Sequence, residues 1–243
     1  MSPVNDLLAI VPSRNRPRGI ARLLDAVHAT KKLDTHVHVC IDDDDPAKEE
    51  YEQVFAHAAQ DGDRLESGPR KGVAAWTNEI AVRRHREYRF LASVSDDMVP
   101  RTPGWDHYLT QGISDMGGTG MTYPYNGTRD DIPEAVVMSS DIVAALGWMC
   151  LPTQEHWYID DVWAELGRRT GSLRHMRAVH IEHVHPGAGK ASYDRTNMDS
   201  SENIEKDRAS YREWRSEQMY KDIETVAKLR QESQQRVLQA AAP

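Results

Sequence analysis

Arg89-Phe90-Leu91-Ala92-Ser93-Val94 runs directly into Ser95-Asp96-Asp97-Met98. Phe90, Leu91, Ala92 and Val94 make the first six residues largely apolar, which predicts a buried strand. That strand ends on two adjacent carboxylates, an arrangement that is costly unless a cation or water neutralises the pair. The same pattern occurs twice upstream. Leu7–Val11 is a short apolar run closed by Pro12 and followed by Ser13-Arg14-Asn15-Arg16-Pro17. His36–Ile41 is β-rich and is followed by Asp42-Asp43-Asp44-Asp45-Pro46.

Helical patterns separate these strands. Ile20, Leu23, Leu24 and Val27 recur at 3.6-residue spacing, and further helices are expected over Ala47–Ala59 and Val73–His85. Strand alternating with helix implies right-handed βαβ units and a parallel sheet. Ligands of such sheets bind beyond the carboxyl ends of the strands. The three polar clusters, Ser13–Arg16, Asp42–Asp45 and Ser95–Asp97, are therefore expected along one edge.

Beyond Gly104 the alternation loosens. Helices are expected over Trp105–Met116, Ser140–Leu146 (with Ser140 as N-cap) and Trp157–Arg169. Strands are expected over Gly120–Tyr123, Ala135–Ser139 and Arg177–His185. Gly187–Ser201 reads as a polar loop. Asn203–Ala240 reads as one or two charged helices with a narrow apolar stripe, Ile223, Val226 and Leu229, suited to packing on the domain or to dimerisation.

Composition limits the function classes. The chain has 243 residues, 39% hydrophobic and 28% charged, which suits one sizeable α/β domain. No apolar run approaches a transmembrane length, so a cytoplasmic protein is expected. Cys40 and Cys150 are too few for a zinc framework and read as buried free thiols. The net charge of −8 argues against a broad nucleic-acid footprint. An acidic protein that holds a nucleotide diphosphate ordinarily needs a cation, which directs attention to the carboxylates.

Each constellation has a chemical and a plain reading. Asp96 and Asp97 suit a hard cation that bridges diphosphate oxygens, or a solvated turn. A member of Asp42–Asp45 suits a nucleobase or ribose, or a helix-capping acidic turn. Arg14 suits a phosphate or a base face. Gly68–Asn78 is a small-residue entry into a helix, with Arg70 and Lys71 adding positive charge. Glu155–Trp163 interleaves acids and aromatics: Trp157 and Tyr158 could stack on an acceptor sugar while Asp160 or Asp161 takes a proton. The competing reading is an amphipathic helix with acids at its N-terminus. Alternation puts His183 and His185 on one strand face, away from Glu182, where they suit a metal if Asp97 is near.

In their order, these segments resemble the GT-A glycosyltransferases, particularly the family-2-like group, over roughly residues 7–185. Ser95-Asp96-Asp97 looks like that group's DXD-type motif, and Met98-Val99-Pro100 and Trp105 follow as its tail often does. The resemblance implies a GT-A (Rossmann-like) α/β fold with a mixed, mainly parallel sheet flanked by helices. A domain over 1–202 would have a nucleotide-binding half over about 1–100 and an acceptor half over about 101–202. The stretch 203–243 would be a helical extension. Pro12, Ser13 and Arg14 would hold the nucleotide, one of Asp42, Asp43 and Asp44 would contact the base, Arg70 or Lys71 would line the site, and Asn78 would shape it. Asp97 would be the main ligand of Mn²⁺ or Mg²⁺, completed by His183 or His185. Ser95 and Asp96 would face the donor, and Asp160 or Asp161 would be the general base of an inverting transfer. Two departures stand out: the motif opens on Ser rather than an acid, and the acceptor-side pair is Asp-Asp where many relatives carry Glu-Asp.

The implied reaction is metal-dependent transfer of a sugar, with a UDP-sugar favoured, to an acceptor hydroxyl. Candidate acceptors are a glycan, a protein, a small molecule or a hydroxymethylated DNA base, the last disfavoured by charge. Arg168, Arg169, Arg174 and Arg177 are the local basic residues that could serve it. The competing activities are nucleotide-sugar hydrolysis, nucleotidyl transfer (against which the glycine-free Ser13–Pro17 loop speaks) and nucleotide binding without catalysis. The C-terminal helix is a candidate homodimer contact.

Overall fold

The computed structural model describes residues 5–127, 131–184 and 202–240. Leu7–Val11 is apolar throughout, and a run of that kind forms a strand covered on both faces. This is β1 (Asn5–Pro12), whose Leu8 and Ile10 join one core cluster while Leu7, Ala9 and Val11 join another. Around it lies an eight-stranded mixed sheet in the order β3-β2-β1-β4-β7-β6-β8-β5. The other strands are β2 (Thr35–Asp42), β3 (Arg64–Gly68), β4 (Tyr88–Ser93), β5 (Met98–Pro100), β6 (Met121–Tyr125), β7 (Val136–Ser139) and β8 (Leu173–His183).

Strands β3, β2, β1 and β4 run parallel, and β7 turns antiparallel to β4. The chain moves outward from β1 to β2 and β3, then crosses back to place β4 on the other side of β1. A crevice opens at such a switch point, between the carboxyl ends of β1 and β4. Ser13 and Asp96 meet there.

Helices α1 (Pro17–Thr30), α2 (Lys48–Ala58) and α4 (Trp105–Ser114) cover one face of the sheet. Pro17 supplies a preorganised first turn for α1, and Ile20, Leu23, Leu24 and Val27 are its buried stripe. At about 1.5–3 kcal/mol per side chain removed from water, this stripe outweighs the lack of a side-chain cap. Gly19 lies against the Asp96 carbonyl: a Cβ there would come within 2.6 Å of that oxygen. Helices α3 (Val73–Arg84), α5 (Ser140–Leu146), α6 (Ile159–Thr170), α7 (Ile204–Glu217) and α8 (Met219–Ala240) lie over the other face. Among the described residues, no helix is long and apolar enough to cross a membrane.

Several details differ from the sequence expectations. β3 is an edge strand with only Leu65 apolar, and β5 is three residues long, so neither announces itself by periodicity. β8 begins at Leu173 rather than Arg177. The Ser140 hydroxyl donates to the Tyr88 carbonyl oxygen (2.7 Å) instead of capping α5. Helix α6 starts at Ile159, not Trp157, because the amides of residues 155–157 are bound elsewhere. The C-terminal helices are not peripheral. Trp214, Met219 and Val226 are part of the core, with Ile223 and Leu229 packed against it, so the apolar stripe is occupied within the chain. Cys40 and Cys150 are buried and free. The expected loop 187–201 lies outside the described residues.

Asp106, with no exposed surface, ties α4 to the α1–β2 connection. It accepts hydrogen bonds from the amides of Lys32, Leu33 and His107 and from the Thr35 hydroxyl (2.7–3.0 Å). Asp106→Ala leaves those buried donors without an acceptor. The expected loss is roughly 3 kcal/mol, read as a lower midpoint of urea denaturation at unchanged slope.

Candidate active site

The loops after β1 and β4 are joined by charge. The Ser13 hydroxyl donates to Asp96 Oδ2 (2.6 Å), and its oxygen lies 2.7 Å from Tyr51 Oη. Arg16 Nη1 reaches Asp96 Oδ1 at 3.1 Å and stands 3.7 Å from Asp97 Oδ2. Burial raises the Asp96 pKa to about 6 against the opposing pull of Arg16, with the charge of Asp97 adding to the rise. Asp96 thus spends both oxygens on the protein, and Asp97 is the member turned toward β8.

The register of β5 on β8 places an imidazole beside Asp97. Met98 is opposite His183, and the Val184 amide donates to the Asp97 carbonyl oxygen (2.8 Å). His183 Nε2 then lies 3.2 Å from Asp97 Oδ1. Its other nitrogen, Nδ1, is 2.7 Å from Glu134 Oε2, which also accepts from Asn126 Nδ2 (2.5 Å). Burial opposes a charge on His183, but the hydrogen bonds to Asp97 and Glu134 prevail and raise its pKa to about 9. Without a competing cation, the imidazole therefore carries a proton at neutral pH. His185 lies outside the described residues.

A carboxylate and an imidazole whose far nitrogen is fixed by a second carboxylate form a recognised metal-binding arrangement. Among the described residues no group of three or more His, Cys, Asp or Glu side chains converges as a ready-made cage. Two protein ligands with the remaining positions left to phosphate oxygens and water suit Mg²⁺ or Mn²⁺ rather than a structural zinc.

Asp42, almost fully buried, collects the other strand ends. Its Oδ1 accepts from Trp76 Nε1 (2.9 Å) and the Lys71 amide (3.2 Å), and its Oδ2 from Arg14 (3.0 Å). Arg14 also binds Asp44 (2.7 Å), and Arg70 stands 3.6 Å from the same carboxylate. Asp43 pairs with Lys48 at 3.1 Å. Asp45 is structural: it accepts the amides of Asn15 and Ala47 (2.9 and 2.8 Å). Asn15 itself takes a left-handed backbone (φ 57°), which asparagine tolerates. Lys71 lies over the Trp76 ring, 4.1 Å from its centre, and pairs with Glu79. Asn78 turns to other work: its amide is bonded to the backbone of Met149 and Cys150 (2.7–2.8 Å). Pro12 ends β1 and is half-buried, and Ser95 is exposed, its carbonyl accepting the Met98 amide. Of the arginines considered for DNA, Arg169 pairs with Glu165 (2.7 Å) and Arg174 with Asp115 (3.7 Å).

Asp160 and Asp161 open α6. Burial and the Asp161 charge raise the Asp160 pKa to about 6, and the charge of Glu134 acts in the same direction. Glu134 therefore links the His183 side of the site to the Asp160 side. Tyr158 precedes the pair at φ 65°, with its hydroxyl accepting from Arg208 Nε (2.8 Å) and its ring stacked on Tyr211 (5.5 Å). The Trp157 amide is held by Asp207 (2.7 Å). Sequence reasoning did not find Arg16, Glu134 or Asp207. Arg16 sat in a flagged loop, whereas Glu134 and Asp207 had no neighbouring pattern to mark them.

Asp160 has a consequence for stability. Its folded pKa of about 6 exceeds the ordinary 3.8. Between those values the unfolded chain has released a proton that the native chain retains, so stability falls as pH rises through that window and stays lower above it. Asp160→Asn removes this cost. The expected gain is about 2 kcal/mol at pH 8, visible as a Tm several degrees higher, with no gain at pH 3.

No protein-family model matches the chain, and no curated protein sequence does. Solved structures do match, at low identity. One is S. aureus TarS in complex with UDP, with TM-score 0.56 and 10% identity over 73% of this chain and 60% of that one. Another is the mannosyltransferase PcManGT from Pyrobaculum calidifontis in complex with GDP-Man and Mn²⁺, with TM-score 0.59 and 12% identity over 99% of this chain and 79% of that one. A third is glucosyl-3-phosphoglycerate synthase from Mycobacterium tuberculosis in complex with Mn²⁺, UDP and glucosyl-3-phosphoglycerate, with TM-score 0.52 and 11% identity over 74% and 71% of the two chains. The chain spans about three fifths of the length of the TarS structure. With its β1–β4 crevice and mixed sheet, this chain has the fold of the GT-A glycosyltransferases.

Proposed function

We propose that the protein is a metal-dependent glycosyltransferase that moves a sugar from a nucleotide-sugar donor to an acceptor hydroxyl with inversion. The observation that carries this reading is the Asp97–His183–Glu134 chain at the mouth of the β1–β4 crevice. It joins a hard oxygen ligand and an oriented imidazole at the strand ends where a nucleotide binds in this class of sheet. Structures with the same fold contain UDP with Mn²⁺, or GDP-Man with Mn²⁺. A UDP-sugar is the favoured donor.

Asp97 and His183 would hold the cation, which when bound supplies charge neutralisation for the leaving diphosphate. Glu134 fixes the imidazole by accepting from Nδ1. Arg16 keeps Asp96 ionised and bound to the Ser13 loop, leaving Asp97 for the cation. Arg14, Asp42 and Lys71 shape the nucleotide side, where Arg14 could turn from its carboxylates to a phosphate or base. Asp160 is the favoured general base, because its raised pKa brings its proton affinity nearer that of an attacking hydroxyl under way to ionising. It takes the hydroxyl proton as the oxygen attacks the anomeric carbon from the face opposite the diphosphate. Asp161 is the alternative base. Trp157 offers an aromatic edge for an acceptor sugar.

Thermal stability measured against UDP, GDP, UDP-glucose and GDP-mannose, with and without Mn²⁺, tests this reading. One nucleotide class is expected to raise Tm only with metal, and Asp97→Ala is expected to abolish that shift. A metal-independent shift, or none with any nucleotide, would count against the metal assignment. Glu134→Gln is expected to weaken Mn²⁺ binding ten- to a hundred-fold in titration calorimetry with UDP present. Turnover is expected to fall below about pH 6 as Asp160 takes up its proton. Persistence of turnover in Asp160→Asn would move the base to Asp161 or elsewhere.

A further inference from the structure

We propose that α7, from the C-terminal extension, is a latch that holds the acceptor-side loop 153–158 in place, with Asp207 as its positioning residue. The proposal rests on the transferase reading, because its purpose is to set Asp160 and Asp161.

Asp207 has no exposed surface. Its two oxygens accept three consecutive amides, those of Glu155 (2.8 Å), His156 (2.9 Å) and Trp157 (2.7 Å). Three donors converging on one buried carboxylate fix a loop backbone far more tightly than a turn of its own would. The same helix makes four more contacts with that loop. Lys206 reaches Glu155 (2.7 Å), Arg208 reaches the Tyr158 hydroxyl (2.8 Å), Ser210 meets Thr153 (2.5 Å), and Tyr211 stacks on Tyr158 (5.5 Å). Asp207, Ser210, Tyr211 and Trp214 share one face by helical spacing. Trp214 in turn donates to Asp222 of α8 (2.8 Å), which anchors the latch to the core.

What the latch holds is the entry to the base. Tyr158 takes a left-handed backbone (φ 65°) immediately before α6. A bulky residue stays in that conformation only where its surroundings leave no alternative. Arg208 and Tyr211 supply that constraint, and two residues later Asp160 enters the site. The loop also touches the donor side. The Glu155 carbonyl accepts the Ala74 amide (3.2 Å) at the start of α3, and a side chain on Gly72 would collide with Glu155. One segment thus joins the extension, the entry to α3 and the base-bearing helix.

Asp207→Asn tests the latch. The substitution keeps size but turns one acceptor into a donor facing amide N–H groups. In the wild type, slow hydrolysis of UDP-glucose and GDP-mannose with Mn²⁺, in which water takes the place of the acceptor hydroxyl, is measured alongside binding of UDP and GDP. In Asp207→Asn, turnover is expected to fall at least ten-fold, while the Kd of the nucleotide diphosphate stays within two-fold. Hydrogen exchange at residues 155–157 is expected to accelerate at least ten-fold, with residues 73–84 unchanged. If the variant does not fold, Arg208→Ala, which removes the contact to the Tyr158 hydroxyl and an exposed ion pair with Glu205 within the same helix (2.7 Å), is expected to show the same split at smaller size. An active wild type matched in turnover by the folded variant overturns the latch alone, as does unchanged exchange at residues 155–157. A wild type that binds neither UDP nor GDP in the presence of Mn²⁺ removes the transferase reading and the proposal with it.

Discussion

The site depends on one buried carboxylate being satisfied from the loop after the neighbouring strand. Asp96 is removed from water at the end of β4, where an unpaired charge would be prohibitively costly. Ser13 and Arg16, from the loop after β1, supply the donors that make it tolerable. Tyr51 of α2 closes the network by accepting the Arg16 amide and meeting the Ser13 hydroxyl. Gly19 allows the first turn of α1 to come close enough for this to happen. Because Asp96 is spent on this network, its neighbour Asp97 points toward His183. The two adjacent acids thus divide the work, one bracing the crevice and the other facing the site.

Much of the fold of the first hundred residues was legible in the sequence. β1, β2 and β4 are apolar runs ended by polar clusters, and burial on both faces of a parallel strand leaves that signature. The clusters fell on one edge because β2, β1 and β4 run parallel and so end on the same side of the sheet. β3 was missed because an edge strand with one apolar residue buries too little to impose a pattern. The pairing of His183 with Asp97 came only as one of two alternatives implied by the resemblance, and periodicity could not give it, since it is set by a three-residue strand whose partner lies more than eighty residues away. Glu134 and Asp207 were invisible for a different reason. A single carboxylate that acts through hydrogen bonds carries no periodicity, and only the fold shows what it faces. Asn78 was legible as a polar residue on an important helix, yet its amide serves the 149–150 backbone rather than the nucleotide side.

The competing activities separate on the same geometry. A nucleotidyltransferase would be expected to cradle phosphates in a glycine-rich loop after β1, but here that loop is held by side-chain ionic bonds. A hydrolase would need only the metal side. Asp160, half-buried beside a loop that α7 and the start of α3 both grip, is a feature that a hydrolase would not require. The stripe of Ile223, Val226 and Leu229 is covered within the chain, while Tyr220, Val237 and Leu238 of the same helix remain exposed.

The short β5–β8 pairing also bears on how the molecule comes into being. Asp97 and His183 meet only where the edge pair β5–β8 is in register, with Met98 opposite His183. Without that pairing, nothing else among the described residues brings the two side chains together. Cation binding at this place would therefore act as a seal on completed assembly, holding the sheet's far edge shut from within.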